Sequence, residues 1–241
     1  MPASSYQNRL LASLSETDLA RIRLHLEPVG LPLNAVLIEA GQPIAYATFI
    51  EAGLGSVIVS AEEGGRIEVG LFGRDGFACP ALVLGSDRIP QQTFMQAGGH
   101  GYRIGAEAFR AIMDASPSFR ALLLRYTHTF LVQTAQTAHA NASAPVQERL
   151  ARWLLMYHDR QDGDELTITH EFLSMMLGTR RSTVTLALQI LEGARLIQAR
   201  RGRIRVLDRA GLEGTAGDAY GPAEAEYERL IAPLRRRADR S

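Results

Sequence analysis

The strongest constraint on this chain is one stretch, Ser118 to Asn141, that contains neither glycine nor proline. A continuous helix over it would run about 36 Å at 1.5 Å per residue. Phe119, Leu123, Tyr126 and Phe130 recur at spacings of four, three and four and so share one seam, which Leu122 and Leu124 widen. Such a seam needs a covering surface. The helix outruns what one small domain can cover, so the expectation is a homodimer seam; packing on the chain's own β-rich segment is the other reading. From Gln133 to Asn141 alanine, threonine and glutamine dominate, and close approach with polar contacts would replace bulky knobs.

On the N-terminal side, Leu10, Leu11, Leu14, Leu19, Ile22 and Leu26 recur at helical spacing around a cap-like Ser15-Glu16-Thr17-Asp18, which predicts one or two short helices. Short β-type runs follow at 36–38, 48–50, 57–59, 67–69, 93–95 and 102–104, with Gly64-Gly65 expected to turn one hairpin. Their spacing fits a sandwich, barrel or roll better than alternating β-α units. Ala106 to Met113 reads as a short helix, and Pro117 precedes the long one.

On the C-terminal side, Ser143-Ala144-Pro145 marks a break and restart. Val146, Leu150, Trp153, Leu154 and Tyr157 then give a second amphipathic helix that ends near Asp162-Gly163. Thr169 can cap a helix whose apolar face is Phe172, Leu173, Met176 and Leu177, with Gly178 as its stop. A further helix from Arg180 to Leu191 turns Val184, Leu188 and Leu191 inward, leaving Arg181, Ser182 and Thr185 outside. Leu196-Ile197 and Ile204-Arg205-Val206 flank Arg200-Arg201-Gly202-Arg203 as a wing hairpin. Leu212 to Tyr220 is expected to close this unit, and Pro222 to Ser241, with Arg235-Arg236-Arg237, to form a mobile basic end or an auxiliary DNA contact.

The chain carries no formal net charge, and its 26 basic residues are all arginine. From Gly178 to Arg209, however, eight arginines face two acids, Glu192 and Asp208, a local net charge of +6. Helix, tight turn, helix and a basic wing together point to double-stranded DNA. The first residues of the second helix would read base edges in the major groove, and wing arginines would hold phosphates. The candidate DNA-binding residues are Thr169, Arg180, Arg181, Ser182, Thr183, Thr185, Arg200, Arg201 and Arg203.

The same residues exclude other classes. The single cysteine, Cys79, rules out an intramolecular disulfide or a four-cysteine cage within one chain; it is kept as a redox candidate. Histidines 25, 100, 128, 139, 158 and 170 lack close ligand spacing, so no metal and no cofactor is expected. Gly73 and Gly76 are not followed by the Gly-Lys-Ser/Thr of a phosphate loop. With no nucleophile–base pair or carboxylate dyad, an enzyme is not expected. Nor is there an export signal or an apolar run of about 18 residues, which predicts a cytoplasmic protein without a membrane partner.

Three segments carry a family resemblance: Gln147 to Met156, Met176 to Thr185, and Arg201-Gly202-Arg203-Ile204. They resemble the Crp/Fnr superfamily of transcription regulators, and Phe49 to Gly53, Glu68 to Gly76 and Leu82 to Gly85 look like its sensor roll. The resemblance implies an α+β chain: an N-terminal antiparallel β-roll, cyclic-nucleotide-binding-like, over 1–117; a dimerisation helix and hinge over 118–143; a winged helix-turn-helix over 144–220; and a basic tail over 221–241. It implies a homodimer on a near-palindromic site, RNA polymerase as a further partner, and an effector pocket sought among Arg74, Gly76, Phe77, Arg88, Gln91 and Gln92. Two departures stand out. Phe77 falls where cyclic-nucleotide binders carry glutamate and Gln91-Gln92 where they carry Arg-Ser, so the usual cAMP cassette is not expected and the effector is left open. Ser182 and Leu186 stand where the family often has Glu and Arg, so the familiar operator is not assumed. A ligand-binding or protein-interaction module is the alternative.

Overall fold

The computed structural model describes residues 5–60 and 65–232. Two short helices, α1 (Arg9–Ala12) and α2 (Glu16–Arg23), lead into an antiparallel roll; Ser15 caps α2 by accepting from the Asp18 amide. The roll contains β1 (Glu27–Leu31), β2 (Val36–Ile38), β3 (Tyr46–Ser60), β4 (Arg66–Phe72), β5 (Phe77–Ala78) and β6 (Gln92–Gly105), ordered β1-β6-β3-β4 with β2 on β6 and β5 on β3. The runs expected as separate strands at 48–50 and 57–59 are one strand, as are 93–95 and 102–104. The intervening glycines do not end these strands, because bulges between Ile50 and Gly55 carry the ladder past them. At Gly99 a Cβ would overlap the Ala52 backbone, so this crossing needs glycine. Ser60 pairs with Arg66, as the expected hairpin requires; Gly64 lies outside the described residues.

Helix α3 (Ala106–Ala115) leads to α4 (Pro117–Ser143), 27 residues and about 40 Å long. Ser116 caps α4 by accepting from the Phe119 amide. Here the expected seam is corrected: Phe119, Leu123 and Tyr126 are fully buried against the chain's own roll. Their rings and side chains close the roll's interior with Phe49, Phe77 and Phe109; Phe77 and Tyr126 lie 5.3 Å apart and Phe109 and Phe119 5.8 Å apart. Phe130 continues this face onto Gly70 of β4, where a Cβ would overlap its ring. The roll takes the bulky seam because without it this aromatic interior would be open to water. Facing outward instead are Leu124, His128, Leu131, Ala135 and Ala138, spaced four, three, four and three.

Helix α5 (Val146–His158) starts after the break at Ala144-Pro145 and lies under α6 (His170–Met176), α7 (Arg181–Gly193) and the three-stranded sheet β7-β9-β8 (Glu165–Thr167, Arg203–Val206, Ile197–Arg200). Leu54 and Leu71 of the roll belong to this second core, so the two halves share one apolar interface. Helix α8 (Arg209–Ala216) and a 3-10 turn follow. Pro222–Leu230 then departs from the expected mobile end and forms helix α9, packed on α4. Arg235-Arg236-Arg237 lie outside the described residues.

All these parts meet at the β4–β5 turn. The Asp75 carboxylate forms a buried ion pair with Arg160 at 2.6 Å and also accepts from the Gly73 amide at 2.7 Å. The Asp75 carbonyl accepts from the Tyr227 hydroxyl of α9 at 2.6 Å, the Gly76 carbonyl accepts from Asn8 Nδ2, and the Arg74 carbonyl accepts from the Arg9 amide. Tyr227 is buried in the roll core, so Tyr227→Ala is expected to lower stability in urea titration by about 3–5 kcal/mol. Tyr227→Phe should cost about 1 kcal/mol, the hydrogen bond alone. Unchanged midpoints in both variants would contradict the docking of α9.

Candidate nucleic-acid interface and sensor region

Thr169 accepts from the Phe172 amide and so caps α6, and Gly178, at φ +56°, supplies the left-handed residue that turns the chain toward α7. On α7, Val184, Leu188 and Leu191 are buried, and Arg180, Arg181 and Ser182 are exposed at its N-terminus with Thr183 and Thr185 half-buried. The helix therefore presents amide donors, the positive end of its dipole and arginine on one side. In the wing, Arg200 pairs with Arg203 across a two-residue turn, and Gly202 at φ +74° takes its left-handed position. The three wing arginines are exposed.

A concave cleft of about 980 Å³ runs between α7 and the wing, lined by Thr169, Arg181, Thr185, Arg200 and Arg201. Arg180, Ser182, Thr183 and Arg203 lie outside this lining. His170 and Gln189 join it and were not among the expected residues. Gln189 was legible, since it follows Arg181 and Thr185 at steps of four along one helical face. Folding also brings acids that a count along 178–209 misses. Arg181 pairs with Glu171 at 2.6 Å and Arg203 with Glu165 at 2.9 Å, both exposed pairs that a phosphate or a base edge could exchange cheaply.

The residues sought as an effector pocket do not converge. Phe77 is fully buried in the aromatic core, and a Cβ on Gly76 would overlap the Tyr126 ring. Arg74 is buried and donates to Asp162 at 2.9 Å and to the Gln161 carbonyl at 2.8 Å, tying the turn to the segment just after α5. Arg88 is exposed and paired with Asp87. Gln91 is half-buried, and Gln92 donates to Glu39 and accepts from Arg66. Cys79 is buried at φ +88°, and burial pushes its thiol above the ordinary range, which disfavours the reactive thiolate a redox role needs. Among the described residues no group of three or more His, Cys, Asp or Glu is placed to hold a metal, and no helix is long and apolar enough to cross a membrane.

A buried polar line missed by sequence reasoning joins the roll to α5. Trp153 Nε1 donates to Glu68 Oε1 at 2.9 Å, Ser56 Oγ lies 2.6 Å from Glu68 Oε2, and Gln96 Oε1 lies 2.5 Å from Ser56 Oγ. Burial raises Glu68 to about 7, against the pull of the Ser56 and Trp153 hydrogen bonds and of the Arg152 and Arg160 charges. A serine has one proton to give, so both short contacts are satisfied when Glu68 is protonated and donates to Ser56, which donates to Gln96.

Residues 148–215 match the family model of the Crp-like helix-turn-helix domain. No curated protein matches the sequence. Solved structures do match the fold. A chain described as a transcriptional regulator of the Crp/Fnr family from Eubacterium rectale is 19% identical, with a TM-score of 0.67 over 87% of this chain and 98% of that one. FixK2 from Bradyrhizobium japonicum is 12% identical, with a TM-score of 0.70 over 80% and 98%. The c-di-GMP responsive global regulator CLP of Xanthomonas campestris is 18% identical, with a TM-score of 0.62 over 80% and 99%. At these identities the likeness is one of fold: a roll, a long helix and a Crp-like helix-turn-helix in one chain.

Glu68 makes stability pH-dependent with a definite sign. A carboxyl raised in the folded state adds stability below its unfolded value near 4.5, and that contribution is lost as pH rises through about 7. Thermal unfolding is therefore expected to show wild type losing about 3 kcal/mol from this group between pH 4.5 and 8, and Glu68→Gln losing much less. Parallel curves for the two proteins would contradict a neutral buried Glu68.

Proposed function

We propose that this Crp/Fnr-type chain is a sequence-specific, DNA-binding transcription regulator that works as a homodimer on a near-palindromic duplex site. The observation that carries the reading is the exposed N-terminal end of α7, with Arg180, Arg181 and Ser182, set beside the exposed wing arginines Arg200, Arg201 and Arg203. Arg181 would leave Glu171 to fork onto a guanine edge, Thr185 and Gln189 would lie along the same groove, and the wing would contact phosphates irrespective of sequence. Leu186, exposed on α7, suits the methyl group of thymine where an arginine would not. The outward stripe Leu124, His128, Leu131, Ala135 and Ala138 on α4 is the dimer seam in this reading, with two leucines seven residues apart and alanines that let helices approach closely. A cytoplasmic location and contact with RNA polymerase go with the same reading.

In this reading the effector is not cAMP held in the roll, because Phe49, Phe77, Phe109 and Tyr126 fill the interior. Calorimetry with cAMP should therefore show no binding in the micromolar range. The rival reading, a module whose winged helix contacts protein, draws on Leu186 and Ile190, both exposed on α7. Salt separates the two, since phosphate contacts make affinity fall steeply with ionic strength and apolar contacts do not.

Fluorescence anisotropy on operator and random duplexes tests the interface. Arg181→Ala should lose about 1–3 kcal/mol on the operator and relax preference at one base pair. Arg201→Ala should weaken both duplexes alike and flatten the salt slope by about one. Salt-independent binding would overturn the DNA reading. Leu131→Glu should yield monomers by light scattering, because an unpaired charge in a helix seam costs several kcal/mol; an intact dimer of equal stability would move the seam elsewhere.

A further inference from the structure

The buried line from Trp153 to Gln96 ends at a cleft between the roll and the winged helix. Leu33, Gln96 and Ala97 line it from the roll side, and Tyr157, Ile168 and Phe172 from the other; its volume is about 370 Å³. That is within the range of small-molecule sites, and apolar and aromatic walls with a few convergent polar groups are their usual chemistry. Gln96 is 2% exposed, and its amide Nε2, itself shielded from solvent so that a ligand reaches it only as the cleft wall yields, has no hydrogen-bond partner among the described residues. Buried amide donors are rarely left unpaired, because water gave them a partner before folding.

We propose that this cleft is a binding site for a small, neutral, ring-bearing molecule with a carbonyl acceptor, which takes its hydrogen bond from Gln96 Nε2. The rings would lie between Tyr157 and Phe172 on one side and Leu33 and Ala97 on the other. No arginine lines the cleft, so an anionic ligand would meet no counter-charge. The bound carbonyl would complete a continuous chain of hydrogen bonds: ligand, Gln96, Ser56, Glu68 and Trp153 of α5. Because the walls come from both halves of the molecule, the ligand binds only while they are docked, and so favours that arrangement over any in which the winged helix swings away. The site thereby supplies an effector to the regulator proposed above, but its occupancy can be read without DNA.

The test uses coumarin, a neutral bicyclic lactone, as probe, and the full chain labelled with nitrogen-15 at about pH 6, where Glu68 is neutral. Trp153 is the only tryptophan, so its indole N–H gives one resolved resonance at the far end of the chain of hydrogen bonds. Coumarin should shift this resonance saturably. Gln96→Leu, which keeps the side chain's bulk but removes its donors and the acceptor for Ser56, should weaken binding at least tenfold in a protein that stays folded at a somewhat lower melting temperature. Should Gln96→Leu unfold, Ala97→Phe, which fills the cleft from its wall, should abolish the shift in a folded protein. No saturable shift, or an equal affinity in the folded variant, would overturn the site. Absence of DNA binding in anisotropy, with or without coumarin, while the coumarin shift is intact would overturn the regulator reading and leave the site standing.

Discussion

The Asp75–Arg160 pair is the interaction on which the rest of the molecule depends. Both side chains are almost wholly buried, so each is tolerable there only because the other is present; removing one leaves a charge in the interior at a cost of about 3–5 kcal/mol. The pair also fixes the β4–β5 turn, and through that turn the positions of α1, the end of α5 and α9. A turn of four residues, Gly73 to Gly76, is thus the joint between roll and winged helix. Arg74 adds to it from outside by holding Asp162.

That joint bears on what the roll can hold. A roll that binds a polar nucleotide must keep room and a counter-charge inside. This roll instead packs five aromatic rings against one another and spends its turn arginine on the neighbouring domain. Its buried polar line lies on the interdomain side, where Glu68, Ser56 and Gln96 run from Trp153 to the cleft that Phe172 also lines.

Much of this was legible beforehand because it is written in local patterns. The Thr169 cap, the Gly178 turn, the inward Val184, Leu188 and Leu191, and the Gly202 hairpin depend on residues a few positions apart, and each stands where its spacing placed it. The break at Ala144-Pro145 follows from proline chemistry alone. The strand boundaries were less legible. Glycines that usually end a strand here sit in bulges, and only the partner strand reveals that the ladder continues.

By itself, then, the sequence determined the order of elements, the amphipathic faces and the arginine-rich helix-turn-helix with its wing, because periodicity and turn chemistry are properties of neighbours along the chain. Tertiary structure decided what each face meets. It assigned Phe119, Leu123 and Tyr126 to the chain's own roll rather than to a partner, since the aromatic interior of that roll needed a lid. It paired Arg181 with Glu171 and Arg203 with Glu165, acids that lie outside any local count. It folded Pro222–Leu230 back to the roll, 152 residues from the carbonyl that Tyr227 reaches, a contact whose stability comes from burial that no window of sequence contains.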